Sequence, residues 1–398
     1  MERYDVVVVG VGGMGSAALY HLARRGKHVL GLERFGVAHE LGSSHGSTRI
    51  IRLAYFEDPS YVPLLHRTYE LWRELEREAS EQLLHVTGTI EAGERIYEGA
   101  LRSCRTHDLS SEELDGREVS RRYPAYRFPP DLPMLFQPDG GFLLPERCIV
   151  AHIGGALARG AVLRAFERVL AWEETSSAVR VETERGRYEA ERLVVTAGGW
   201  AQEVARLPPG LVVAQRQVFA WLRPAEPELF APDRFPVFNI ELEEGHFYGF
   251  PVFDVPGFKL GYYNHSEERG DPDELLRSPK PEDDAPLRAF AERYFPAGAG
   301  PTLSLKTCLF ELSPDEHFVV DRHPATERAI VAAGFSGHGF KFCSVIGEIL
   351  ADLALEGETR HDIGLFRLDR FGSATTPARQ PECGREDSNL QGPKPNGT

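Results

Sequence analysis

The chain has 398 residues, 42% of them hydrophobic and 26% charged, with a formal net charge of -15 and a pI ≈ 5.5. That is length enough for a large core and two intertwined domains, and the acidic balance gives no basic footprint for nucleic acid or an anionic membrane. Five cysteines, an odd number with no C-x-x-C spacing, point away from a disulfide framework or a zinc site and towards a reducing cytoplasm, and no run reaches the roughly 18 apolar residues of a membrane span.

The first element, Tyr4 to Val9, is a β-rich run suited to a buried parallel strand, entered without a leader-like segment. Gly10-Val11-Gly12-Gly13-Met14-Gly15 then leads into a helical pattern from Ser16 to Arg24. This is GxGxxG in its required strand-to-helix context. Gly10 permits the tight turn, Gly12 lets a pyrophosphate approach the backbone, and Gly15 lets helix and strand pack closely. A second strand, His28 to Leu32, ends at Glu33, placed to accept hydrogen bonds from an adenosine ribose. The extreme N-terminal position of the motif, followed by a chain without regular β-α alternation, favours FAD over NAD.

Gly42-Ser43-Ser44-His45-Gly46-Ser47-Thr48-Arg49-Ile50-Ile51-Arg52 reads as a small polar loop. Its small residues allow close approach to a ring or phosphate. Two arginines three apart can share one side of a turn, where one binds a substrate carboxylate bidentately and the other neutralises a nearby charge; in an arginine-rich chain they can equally be surface residues. From Ser60 to Ala79, Leu64, Leu65, Tyr69, Leu71, Trp72 and Leu75 form the apolar stripe of a packing helix.

The nucleotide-binding part resumes with a helix near Cys148 to Arg159, strands around Ala161 to Leu163 and Ala178 to Glu182, and an apolar run from Leu193 ending in Ala197-Gly198-Gly199-Trp200. The runs Val218 to Leu222, Val237 to Leu242, His246 to Phe250 and Phe258 to Tyr263, parted by Pro and Gly turns, predict an antiparallel sheet that covers the reactive ring and forms a substrate pocket. The chain has only six lysines (27, 259, 280, 306, 341 and 394), so Lys259, between Phe258 and Leu260, stands out even though strand lysines are usually exposed. Lys306-Thr307-Cys308 and, after an apolar strand, Gly334-Phe335-Ser336-Gly337-His338-Gly339-Phe340-Lys341 offer a cysteine and a lysine on two sides of a glycine-rich turn that opens a helix, Lys341 to Leu355. That helix's N-terminal dipole would stabilise negative charge on a reduced flavin. The tail, 373–398, is polar and aperiodic and is expected to be disordered.

Taken in order, the N-terminal GxGxxG, GSSHGSTRIIR, FKLGYY, KTC followed by SPDEHFVVDRHP, and GFSGHGFKF make the chain resemble the monomeric sarcosine oxidase family of flavoproteins, within the wider group of D-amino acid and glycine oxidase folds. The resemblance spans residue 4 to about 370. It implies an α/β fold: a Rossmann-like FAD domain (1–85, 145–205 and 320–372) intertwined with an α+β substrate domain on an antiparallel sheet (86–144 and 206–319). It implies FAD held by Gly10, Gly12, Gly13, Met14, Gly15, Glu33, Arg34, Ser43, Ser44, Gly337, Gly339, Phe340 and Lys341, and bonded covalently through Cys308 as an 8α-thioether. Arg52 and Lys341 would clamp the substrate carboxylate, with Tyr263 beside it. Arg49 and His45 would lie near the flavin, Lys259 would promote reaction with oxygen, and Tyr248 and His338 would complete the catalytic set.

The family pattern has a tyrosine two residues beyond the cysteine and a histidine four beyond the lysine, where this chain has Phe310 and Tyr263. The implied reaction is oxidation of a secondary amino acid, sarcosine first, with L-pipecolate, L-proline and N-methyltryptophan as alternatives, or amine dehydrogenation without oxygen. A non-catalytic flavin-binding module is the remaining class. The expected protein is a cytoplasmic monomer without metal, nucleic acid or membrane partners.

Overall fold

The computed structural model describes residues 2–264 and 267–372; the tail expected to be disordered lies outside the described residues. The opening strand, Glu2–Val9, is paired in parallel with Val29–Leu32 on one side and Arg187–Val195 on the other. Val162–Arg164 extends the sheet beyond Val29–Leu32, and Ala329–Ala333 extends it beyond Leu193, again in parallel. Strands buried on both faces need continuous apolar runs, and the last four residues of the opening strand, Val6 to Val9, supply one. The antiparallel strands Val169–Glu174, Val179–Thr183 and Val319–Arg322 complete eight strands.

Helices Gly13–Arg24, Val62–Ala79, Pro145–Leu157 and Cys343–Leu355 share one core with this sheet, built on Leu19, Leu65, Trp72, Ile149 and Ile349. Two of the motif glycines act through packing. A Cβ at Gly15 would meet the Gly10 carbonyl oxygen at 1.8 Å, and Gly10 itself has φ +86, open to glycine without strain.

The second sheet has nine strands, in the order Arg269–Gly270, Val213–Leu222, Phe258–Tyr263, Gly245–Phe250, Val237–Leu242, Thr89–Ala92, Pro133–Gln137, Glu112–Asp115, with Thr302–Leu312 running along Val213–Leu222. Its ladder sets the active-site wall. Asn239 lies opposite both Glu91 and Tyr248, Gly261 opposite Tyr248, Tyr263 opposite His246, Lys259 opposite Phe250, and Cys308 opposite Gln217. Side chains alternate along a strand, so one face gathers Glu91, Asn239, His246, Tyr248, Lys259 and Tyr263. The other face packs Phe238, Phe247 and Phe258 with helix Pro281–Tyr294 through Phe290 and Tyr294.

The segment read as a polar loop is part strand. Arg49–Ile51 pairs antiparallel with Gly141–Leu143, which also pairs with Leu84–Val86. The arginines therefore do not share one side of a turn: Arg49 begins this strand and Arg52 follows its end. The helix expected to open at Lys341 starts as a 3-10 turn, Phe340–Phe342, with the α-helix proper at Cys343–Leu355.

Candidate active site

Two cavities meet at the junction of the sheets. The first, ≈ 210 Å³, runs from Glu33, Arg34 and Trp172 past Gly10, Gly12, Gly13 and Met14, then Ser43 and Ser44, to Phe310, Gly337, Gly339 and Phe340. The second, ≈ 220 Å³, is lined by Arg52, Glu57, His246, Tyr248, Tyr263, His338 and Lys341, among others. Arg49, Phe310, Gly337 and Phe340 wall both. A cavity that follows the glycine turn and Glu33 and shares a wall with one lined by Arg52 and Lys341 suits a dinucleotide with a small substrate at its reactive end.

The first cavity fits FAD. A Cβ at Gly12 would meet nothing within 4 Å, so the turn faces open space, as close approach of a pyrophosphate demands. Ser43 Oγ is buried without a partner among the described residues and lines this space. Glu33 differs from a free ribose acceptor: its carboxylate already accepts Val11 N–H at 2.8 Å and Phe35 N–H at 2.9 Å. Burial alone would raise its pKa, yet hydrogen bonds from His39, Phe35 and Val11 hold it below the usual carboxylate range. Arg34 pairs with Asp273 at 3.0 Å and lies over the Trp200 ring.

In the second cavity Arg52 is 3% exposed. Its Nη2 donates to Glu57 at 2.9 and 3.1 Å, and its Nε lies 3.0 Å from Glu91 Oε1 without hydrogen-bond alignment. Burial would depress the guanidinium's pKa, but Glu57 and Glu91 raise it, so the charge is secure. With Nη2 and Nε so occupied, a bidentate grip through Nη2 and Nε is not open to a substrate; Nη1 has no acceptor among the described residues. Lys341 Nζ donates to His338 O at 2.6 Å and lies over the Tyr55 ring. Burial first, and then the Arg52 charge, bring its pKa down to about 7.

His338 has both nitrogens engaged. Its Nε2 lies 2.9 Å from Glu316 O, so it carries the proton, and Nδ1 accepts from Tyr55 OH. Burial holds its pKa at about 4, leaving a neutral ring with no lone pair to spare. It shapes the pocket; it is not placed as a free base. Tyr263 donates to Ser336 O at 2.6 Å and its ring lies tilted against Phe310. Tyr248 crosses Gly261, where a Cβ would meet its ring at 2.2 Å.

Lys259 is 2% exposed. Burial pushes its pKa well down, with Arg49 adding to the effect. It donates to Gly46 O at 2.6 Å, Thr48 O at 3.0 Å and Thr48 Oγ1 at 3.1 Å, and sits over Phe219 and Phe250. Three acceptors and two ring faces offset its desolvation. Arg49 reaches back to Ser43 O at 2.6 Å and Thr48 O at 2.9 Å. His45 is buried, lines neither cavity, and has no partner for either nitrogen among the described residues; burial, followed by Arg49 and Lys259, pushes its pKa down to about 2. Cys308 is 3% exposed and lines neither cavity, two residues before Phe310, which lines both. Burial raises its thiol pKa, against the charges of Arg49, Lys259 and Arg277.

Sequence reasoning missed Glu57, Glu91, Asn239 and His246. A signal existed for two of them: Glu91 lies between Ile90 and Ala92, and Asn239 between Phe238 and Ile240, polar residues flanked by apolar ones within strands.

Residues 5–353 match the family described as DAO, FAD dependent oxidoreductase. The chain is 41% identical over 379 residues to the monomeric sarcosine oxidase of Streptomyces avermitilis, covering 93% of this chain and 98% of the relative. It is 35% identical over 378 residues to the N-methyl-L-tryptophan oxidase of Salmonella arizonae, covering 93% and 99%. Among solved structures, NikD, an unusual amino acid oxidase essential for nikkomycin biosynthesis, superposes with a TM-score of 0.81 at 28% identity over 92% of this chain and 98% of its own. Glycine oxidase from Geobacillus kaustophilus, at 21% identity and a TM-score of 0.79 over 93% and 99%, shares the fold. Among the described residues no helix is long and apolar enough to cross a membrane. With a dinucleotide cleft, an abutting cationic pocket and a match spanning most of its length, this chain belongs to the FAD-dependent oxidoreductase family.

Proposed function

We propose that the chain is an oxidase of secondary amino acids, with sarcosine as the first substrate: sarcosine, O2 and water give glycine, formaldehyde and H2O2. The observation that carries this reading is the pairing of Arg52 with Lys341 in a pocket that shares Arg49, Phe310, Gly337 and Phe340 with the dinucleotide cleft.

Gly10, Gly12, Gly13, Met14, Ser43, Ser44, Gly337, Gly339 and Phe340 would hold FAD, with Cys308 as its covalent anchor through the 8α-methyl group; once bound, FAD supplies the two-electron oxidation of the C–H bond beside the amine. Arg52 Nη1 and Lys341 Nζ hold the substrate carboxylate. The guanidinium groups of Arg49 and Arg52, joined by Lys341 when it is protonated, disfavour an ammonium and favour binding of the amine in the neutral form whose lone pair the oxidation needs. Tyr248 and Tyr263 wall the pocket. Lys259, when protonated, supplies a positive charge that favours electron transfer to oxygen. No protein nucleophile or metal is required. The enzyme would work as a cytoplasmic monomer on a small amino acid and O2, without nucleic acid or membrane.

The test is oxygen-dependent H2O2 formation by the purified yellow protein with sarcosine, L-pipecolate, L-proline and N-methyltryptophan. Peroxide with sarcosine supports the reading, and preference for another amine moves the substrate within the same class. Flavin bleaching without oxygen, with no peroxide under air, would make it a dehydrogenase.

A further inference from the structure

Behind the carboxylate clamp runs a buried polar chain that the clamp alone does not require. Glu91 Oε2 accepts from Asn239 Nδ2 at 2.9 Å, and Asn239 Oδ1 lies 2.6 Å from His246 Nε2. Glu91 is fully buried, Asn239 is 5% exposed and His246 8%. The three come from three adjacent strands. Glu91 and Asn239 are in register, and His246 sits diagonally from Asn239, within reach of a long side chain.

The order of donors fixes the imidazole. Because the Asn239 amide N–H₂ faces Glu91, its Oδ1 faces His246, so His246 Nε2 carries the proton and Nδ1 is left as a lone-pair acceptor. That Nδ1 is buried and has no donor among the described residues, while the ring lines the substrate cavity and lies tilted against Tyr263, 4.8 Å between centroids. A buried acceptor without a donor is costly, which makes it a reader of whatever supplies one. Position 263, where the family pattern has histidine, holds Tyr263 here, and an imidazole enters the pocket from the neighbouring strand instead. Arg95, Asn239, Asp315 and Glu316 make the surrounding wall polar.

We propose that His246, held by Asn239 and Glu91, is a specificity-determining residue whose Nδ1 accepts a hydrogen bond from the substrate's substituent, so that the site favours secondary amino acids bearing a hydroxyl or N–H donor over those of the same shape without one. This rests on the secondary-amine oxidase reading and names its substrate class. Glu91 and Asn239 act as positioning residues behind it.

The experiment compares kcat/KM for N-methyl-L-serine with N-methyl-L-alanine, and for N-methyl-L-threonine with the isosteric N-methyl-L-valine, in the FAD-loaded protein, with sarcosine alongside. A buried acceptor gives a preference of about tenfold or more for the hydroxyl-bearing member of each pair. His246→Phe, which keeps the ring over Tyr263, brings both ratios to about one, and His246→Gln, which keeps an acceptor, retains part of the preference. Ratios near one in the wild-type protein while sarcosine is oxidised overturn this inference and leave the oxidase reading intact. An unchanged preference in His246→Phe overturns it too. No flavin bleaching with any of these amines overturns both.

Discussion

Lys259 Nζ donates to the carbonyl oxygen of Gly46 at 2.6 Å, tying a central strand of the substrate sheet to the turn that precedes Arg49. Gly46 has φ +96, and a Cβ there would meet Phe219 at 2.7 Å. A glycine is needed at this turn for both reasons, and the turn in turn presents the carbonyl that holds the lysine. The side-chain nitrogen is thus fixed in place by backbone and hydroxyl acceptors, with no carboxylate in an ion pair with it among the described residues. Lys259→Met should slow reoxidation of reduced flavin by oxygen by about 100-fold or more, the scale of losing a preorganised charge, and slow anaerobic reduction by sarcosine far less. Stopped-flow measurement of the two half-reactions decides it, and equal losses in both would remove Lys259 from the oxygen step.

Cys308 is buried on the strand face that carries Phe310. Acid precipitation of the wild-type protein should leave the yellow colour in the pellet. In Cys308→Ala the colour should move to the supernatant. Colour in the wild-type supernatant would mean that FAD is bound without a thioether.

Lys341, with a pKa brought down to about 7, and Glu91, whose burial lifts its carboxyl to about 7 against the Arg52 charge, make carboxylate binding depend on pH. As pH rises through about 7, Lys341 loses its proton and Glu91 gains a negative charge beside Arg52. Both changes weaken the hold on an anion, so affinity should fall with rising pH. Propionate, which lacks an amine to titrate, is a clean probe when followed by the flavin spectrum. Lys341→Met should weaken it by about 30-fold, or about 2 kcal/mol for removing one partner of a buried charge contact. The variant should also lose much of the pH dependence. A flat profile in the wild-type protein would contradict the assignment.

Gly261→Ala places a methyl group within 2.2 Å of the Tyr248 ring, and the ring must move. The expected cost is about 1–3 kcal/mol of stability, the range for overpacking a tight site. Urea unfolding measures it, and a raised KM for sarcosine should accompany it. Unchanged stability and KM would show that Tyr248 yields without consequence.

The nucleotide-binding part was legible because its signals are local. GxGxxG needs a strand before it and a helix after it, and both lie within 24 residues of the N-terminus. Val237–Leu242 and Phe258–Tyr263 have in the structure the bounds read from their β-rich patterning. The glycine roles at 10, 12 and 15 follow from steric rules that hold wherever the motif folds. Arg49 and Arg52 were picked out as residues but misplaced in conformation, because antiparallel pairing with Gly141–Leu143 turns a loop-like sequence into a strand.

The sequence by itself determined the cofactor class and the FAD-dependent family, since these rest on short-range patterns of glycine, charge and hydrophobic period. Only the tertiary structure decided that Arg52 is braced by Glu57 and Glu91, that His338 has no free lone pair, and that His246 enters the pocket beside Tyr263. Those relationships depend on strand register, and register joins Glu91 to Asn239 across 148 positions of chain. A shift of one residue in that pairing would turn the alternating side chains to the other face, and nothing in a strand's own composition names its partner.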